Sequence, residues 1–226
     1  MKLMLYDVDN QTETEFTDGE VLTVACESKR YFSKLVACAK GISEKEMALV
    51  EGEKELSFIK DAIVLIDYYD VEAFEKSILT KFYKRLDKKH SGKEETGKIL
   101  AELRASFVSL LKLLTEDYNL DFDFSIPEAI ADYAKFLSLR PRAETADLAQ
   151  SICGLIEVLS DLQLYSLLIL VTPSSFFTEE ERAEIAKACA YSHQKTLFLE
   201  DTLDKKRMRY EKKILIDEDF YDIMLK

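Results

Sequence analysis

The stretch Leu164–Asp201, LYSLLILVTPSSFFTEEERAEIAKACAYSHQKTLFLED, constrains what this chain can fold into more than any other. Tyr165–Val171 is a continuous apolar run too short for a helix, and Thr172-Pro173-Ser174-Ser175 ends it with a turn signal. That is the pattern of a strand buried on both faces. Thr178 with Glu181 three residues on makes a capping box, in which a hydroxyl and a carboxylate satisfy the free N–H groups of a helix start. Ala183, Ile185, Ala186, Cys189 and Ala190 then share one helical face, and Thr196–Leu199 is a second apolar strand. Strand, turn, helix and strand in this order form a right-handed crossover of a mainly parallel sheet. The loop after such a strand is where α/β proteins place sites, so Pro173–Ser175 is the first candidate.

The remaining chain is expected to complete an α/β head around this unit. Lys2–Val8 and Val21–Ala25 read as an antiparallel strand pair around an acidic turn containing Gly19. Glu27–Lys40 carries Tyr31, Phe32, Leu35, Val36 and Ala39 at helical spacing, with Gly41 as its stop. Met47–Val50 is expected as an edge strand and Lys60–Asp67 as a second central strand.

From there to Tyr165 the pattern is helical. Val71–Lys89 carries Phe74, Ile78, Phe82 and Leu86, and Glu94–Glu116 carries Ile99, Leu100, Leu103, Phe107, Leu110, Leu111 and Leu114. Ser91-Gly92 turns between them, which gives an antiparallel helical hairpin. A capping box of Ser125 and Glu128, with Pro127 in the first turn, starts a helix expected to reach Leu139, and Glu144–Leu162 is a further helix. The domains expected are therefore a head of residues 1–70 and 145–226 and a helical insertion of residues 71–144. Two such helices cannot bury their apolar stripes alone. At about 25 cal/mol per Å² the wet stripe costs several kcal/mol, so the insertion is expected to oligomerise.

With 43 acidic against 31 basic residues the net charge is −12, which taken whole argues against a nucleic-acid partner. The distribution is uneven, however. Lys81, Lys84, Arg85, Lys88, Lys89 and Lys93 face Asp87 alone, and Lys205–Lys213 repeats the imbalance against Glu211. Solvated faces are the ordinary explanation of such blocks. Lys135, Arg140 and Arg142 lie around the end of the helix after Ser125, where they either contact phosphate or simply complement a helix C-terminus. Glu116, Asp117, Asp121 and Asp123 form an acidic segment, either a solvated loop or a source of oxygens for calcium. It is not an EF-hand loop, and as the carboxylates of a metal-dependent nuclease it lacks a specified third ligand.

Other chemistry is not signalled. No G-x-x-x-x-G-K-[ST], G-x-G-x-x-G or G-x-S-x-G occurs, so neither a phosphate loop nor a hydrolase elbow is expected, and His193 lies far along the chain from Ser174 and Ser175. Cys26, Cys38, Cys153 and Cys189 have no C-x-x-C spacing and are expected to be reduced core residues rather than zinc ligands. The longest apolar run falls well short of the ~20 residues of a membrane span, which leads to the expectation of a soluble, cytoplasmic protein without a membrane partner.

Leu167–Glu181 (LLILVTPSSFFTEEE), Thr196–Asp201 (TLFLED) and Ile214–Ile223 (ILIDEDFYDI) resemble the Csn-two family of type II-A CRISPR systems. Weaker agreement extends over Tyr31–Val36, Ala62–Val71, Asn119–Phe124 and Ala134–Arg140, so the similarity is collinear over nearly the whole chain. The resemblance implies a P-loop-ATPase-like head without a functional phosphate loop and an α-helical leg. It implies homotetrameric rings that bind ends of double-stranded DNA without sequence preference during spacer acquisition, a part of antiviral defence, with no catalytic activity and no nucleotide. It further implies calcium at Asp121 and Asp123, DNA contacts at Lys135 and Arg140, and cooperation with the CRISPR integrase proteins and effector nuclease. Ser125 stands where the family usually carries another carboxylate. A metal-dependent nuclease or nucleotide hydrolase, and a protein-interaction scaffold, are the alternatives.

Overall fold

The computed structural model describes residues 1–6, 11–43, 45–141, 147–218 and 222–225, with 71–74 and 222–225 described by backbone alone. The strands are β1 (Lys2–Tyr6), β2 (Gln11–Glu15), β3 (Val21–Cys26), β4 (Met47–Glu51), β5 (Lys54–Leu56), β6 (Ala62–Leu65), β7 (Leu167–Val171), β8 (Thr196–Glu200), β9 (Glu211–Ile216) and β10 (Asp222–Leu225). The helices are α1 (Lys29–Ala39), α2 (Phe58–Asp61), α3 (Val71–His90), α4 (Glu94–Thr115), α5 (Ile130–Phe136), α6 (Leu148–Leu162) and α7 (Glu179–Tyr191). The chain divides into two compact units, Met1–Val71 with Arg142–Lys226, and Glu72–Pro141.

The first unit is a mixed α/β domain. Its larger sheet has the order β10-β9-β3-β8-β7-β6, parallel throughout except for the antiparallel pair β9–β10. Every residue of β3, β7 and β8 is buried, because both faces of the sheet are covered. On one face Leu22, Val24, Leu167, Ile169, Leu197, Leu199 and Ile214 pack with Tyr31 and Leu35 of α1 and with Leu3, Leu5, Met47 and Leu49 of a smaller sheet. The residues alternating with these point to the other face, where Cys189 of α7 lies 3.1 Å from Thr196. Burial there pushes the Cys189 thiol up to about 12. The Leu164–Asp201 unit folds as its pattern predicts: β7 and β8 are parallel neighbours, and the Thr178–Glu181 capping box starts α7.

Several expectations are corrected. β1 and β3 are not an antiparallel pair but lie in different sheets, and β1 pairs instead with β2 and β4. β2 is the polar run QTETE, whose acids face solvent on an outer strand, so it carries no apolar alternation to announce it. β4 is an inner strand because the short β5 flanks it. β6 is the outermost strand of its sheet, not a central one, and Lys60–Asp61 before it belong to α2. β9 and β10 were hidden by the basic block and the acidic tail around them. Of the helix expected over Glu144–Leu162, residues 144–146 lie outside the described residues, and α6 runs from Leu148, where the Asp147 carboxylate accepts from the N–H of Gln150 at 2.7 Å.

In the second unit α3 and α4 are joined through Ser91 and Gly92, the glycine at φ +83°, a conformation that favours a residue without Cβ. The helix expected from the Ser125–Glu128 box is shorter and starts elsewhere. α5 begins at Ile130 because Asp87 of α3 accepts from the N–H of Ala131 at 2.9 Å, so a contact from another helix supplies the cap. Arg104 of α4 donates to the carbonyls of Pro127 and Glu128, at 3.3 and 2.7 Å, and ties down the segment that would have been the helix start. Leu100, Phe107, Val108 and Leu111 of α4 are half-buried, whereas Ile99, Leu103, Leu110, Leu113 and Leu114 are 38% to 61% exposed. Among the described residues no helix is long and apolar enough to cross a membrane.

Candidate nucleic-acid interface

The basic residues of α3 segregate by helical geometry. At about 100° per residue, Lys81, Lys84, Arg85 and Lys88 fall within an arc of about 100°, while Ile78, Phe82 and Leu86 occupy the adjoining apolar face. Lys84, Arg85 and Lys88 are exposed and Lys81 is half-buried. Burial of the apolar face thus turns the cations outward.

Lys84 also lines a groove of about 850 Å³ between α3 and α5, together with Lys76, Tyr83, Asp87, Asp132 and Lys135. Lys76 and Lys84 of α3 and Lys135 of α5, far apart in sequence, therefore line one groove, beside the carboxylates of Glu75, Asp87 and Asp132. Lys135 Nζ lies 3.0 Å from the Asp132 carboxylate one helical turn away, and Arg140 lies 3.8 Å from Glu75. Both pairs are on the surface, where such contacts contribute only about 0–1 kcal/mol and leave the cations able to exchange partners. Tyr83 donates its hydroxyl to the carbonyl of Leu139 at 3.0 Å, which fixes the chain between α5 and Arg140. Arg142 lies outside the described residues.

The acidic candidates do not form a ligand set within one chain. Glu116 and Asp117 follow α4, Asp121 and Asp123 lie in a segment without regular structure, and all four are exposed. Among the described residues no group of three or more His, Cys, Asp or Glu side chains is placed to hold a metal ion. Calcium needs six to eight oxygens, so the segment as placed does not fit the ion alone.

The carboxyl edge of the parallel sheet is closed by its own side chains. Only Glu27 and Ser28 separate β3 from α1, and the Ser28 hydroxyl accepts from the N–H of Tyr31, occupying a donor that an anion would otherwise use. Lys29 pairs with Asp201, beyond β8, at 2.6 Å. Glu200 is buried beneath the turn at Ser174, and Arg182 comes within 3.9 Å of it. Burial pushes the Glu200 carboxyl up, against the opposing effect of its hydrogen bonds from Ser174. Ser174 follows the carboxyl end of β7, whereas His193 precedes the amino end of the parallel β8, so the two are at opposite ends of the sheet.

Sequence patterns missed the role of the second basic block. Lys206 pairs with Glu179 at 2.6 Å and Lys212 with Glu20 at 2.9 Å, while Lys213 is buried beside Glu211 at 3.6 Å. The signal available was alternation: Glu211, Lys213 and Leu215 share one face of a strand, and nothing in their composition suggested that this face is covered.

A family model described as CRISPR-associated protein (Cas_Csn2) matches residues 41–220. No curated protein matches the chain in sequence. Among solved structures it is similar to an ATP-binding cassette of an ABC transporter in its ADP conformation, with 11% identity, 90% of this chain and 81% of that chain covered, and a TM-score of 0.42. That similarity is too distant to bear on nucleotide binding.

Proposed function

The chain belongs to the CRISPR-associated Cas_Csn2 family, and from that premise we propose that it binds double-stranded DNA ends without sequence preference, as a non-catalytic homotetrameric ring acting in spacer acquisition. The observation that carries this is the convergence of Lys84 and Lys135 on one groove beside the basic face of α3. Backbone contacts require charge rather than base-edge geometry, and exposed lysines on helices suit them. The exposed apolar stripe on α4 supports self-association, because covering it recovers burial that the single chain lacks. A ring keeps its acids outside and its cations inside, which reconciles a net charge of −12 with a DNA-filled hole.

The head is then a P-loop-ATPase-like fold in which the Glu27–Ser28 turn stands where a phosphate loop would be. Calcium, where it binds, takes ligands that the described residues of one chain do not bring together. The integrase proteins and effector nuclease of the same system are the proposed partners. Gel shifts with linear and covalently closed circular duplex test the function: binding of linear DNA alone is expected, and equal binding of both forms rejects threading over an end. Incubation of labelled DNA or ATP with magnesium, manganese or calcium is expected to give no turnover, and turnover would favour the nuclease or hydrolase alternative.

A further inference from the structure

β8 and β9 both run parallel to β3 and flank it on either side, so the chain leaving the carboxyl end of β8 must return along the sheet before β9 can begin. Parallel strands usually make this return through a helix that covers the sheet. Here Asp201–Tyr210 makes it without any helix or strand. The sheet beneath this strap is polar to match. Thr23 of β3 and Lys213 of β9 are register partners, and Thr23, Glu211 and Lys213 are all buried.

These buried groups hold the strap by its backbone. Lys213 donates to the carbonyl of Asp204 at 3.2 Å and also to that of Lys206. Glu211 accepts from the N–H of Met208 at 2.8 Å and from the hydroxyl of Thr23. With its backbone fixed inward, the strap presents Lys205, Lys206, Arg207 and Arg209 to solvent. Its acids are used internally: Asp201 pairs with Lys29, and Asp204 accepts from the N–H of Lys206 at 2.8 Å. Lys206 is engaged by Glu179, and Arg209 lies over the ring of Tyr210 at 5.0 Å. A solvated loop needs no buried ion pair to fix it, and burying charge is costly. Fixing in advance the backbone that carries these cations lowers the ordering cost of binding a polyanion.

We propose that the strap Asp201–Tyr210 is a preorganised phosphate-contacting surface of the α/β unit, which binds the backbone of duplex DNA through Lys205, Arg207 and Arg209. This rests on the DNA-binding function proposed above and adds a contact surface to it outside the helical unit.

The test is fluorescence anisotropy of the full chain with a labelled linear duplex at several sodium chloride concentrations. Removing the three cations as K205A/R207A/R209A is expected to lower the slope of log affinity against log salt by about 2 to 3, at ~0.9 for each phosphate no longer neutralised. The conservative variant R207K/R209K is expected to keep the wild-type slope. The double variant R207A/R209A gives the same test with fewer changes should the triple variant lose its thermal transition. Wild-type binding with an unchanged slope in the alanine variants overturns the strap alone. A wild-type chain that binds no duplex at any salt overturns the DNA-binding function and the strap with it.

Discussion

The carboxylate of Glu200, at the end of β8, accepts both the backbone N–H of Ser174 at 2.9 Å and its hydroxyl at 2.6 Å. One buried acid therefore fastens the turn after β7 to the neighbouring strand, which makes Pro173–Ser175 a joint of the sheet rather than a site. Glu200→Ala would leave the half-buried Ser174 N–H without its acceptor, at a cost of about 1 kcal/mol.

A pH dependence follows from the same residue. Burial raises the carboxyl of Glu200 above its ordinary value. The folded state therefore holds the proton more tightly than the unfolded chain, and the stability linked to this group is fully present below the unfolded value. It is lost as pH rises through the raised folded value. Glu200→Gln keeps an acceptor for Ser174 and removes the titration. Urea melts of both proteins from pH 4 upward are expected to show the wild type losing ground to Glu200→Gln through that window and then running parallel. Curves parallel over the whole range would show that Glu200 has no raised value.

Thr172, immediately before the joint, adopts φ 49° and ψ 47°, a left-handed conformation that a β-branched residue enters at a cost of order 1–3 kcal/mol. Its backbone is held on both sides: its N–H donates to Leu199 at 2.7 Å, and its carbonyl accepts from Ser175 at 3.0 Å. Asparagine tolerates this conformation better. Thr172→Asn is expected to stabilise by about 1 kcal/mol, raising the calorimetric Tm by about 2–4 °C. An unchanged or lower Tm would show that the threonine side chain offsets its own strain.

The Leu164–Asp201 unit was legible because each of its signals is local: a doubly buried strand, a capping box and a second apolar run. The elements that sequence misplaced depend on distant partners. β2 lacks an apolar alternation because Gln11, Glu13 and Glu15 on one of its faces are exposed and threonines fill the other, and α5 starts where Asp87 caps it, forty-four residues upstream of Ala131. The cations of α3 were legible as a cluster, but their meeting with Lys135 in one groove depends on the packing of α3 against α5, which no spacing rule contains.

The exposed face of α4 predicts association. Ile99, Leu103, Leu110, Leu113 and Leu114 recur at helical spacing and form one stripe. Introducing charge as L110E/L114E is expected to leave the helical content intact and to shift sedimentation toward a smaller species at micromolar protein. A wild-type chain that sediments as a monomer under those conditions removes the basis for a ring.

Lys84 and Lys135 provide the sharpest test of the helical groove. Both are exposed, and the carboxylate that Lys135 engages, Asp132, is itself on the surface, so reversing these lysines removes no buried ion pair. K84E/K135E is therefore expected to melt within about 1 kcal/mol of the wild type, the scale of a surface pair. Each reversal replaces an attraction to phosphate by a repulsion, so linear-duplex affinity at low salt is expected to fall by at least about tenfold, with a shallower salt slope. Asp132→Asn alone is expected to move affinity the other way, because it frees Lys135 from its competitor. Wild-type affinity in the reversed variant, with its fold intact, would show that the groove does not face DNA, and would favour a scaffold whose basic faces are only solvated.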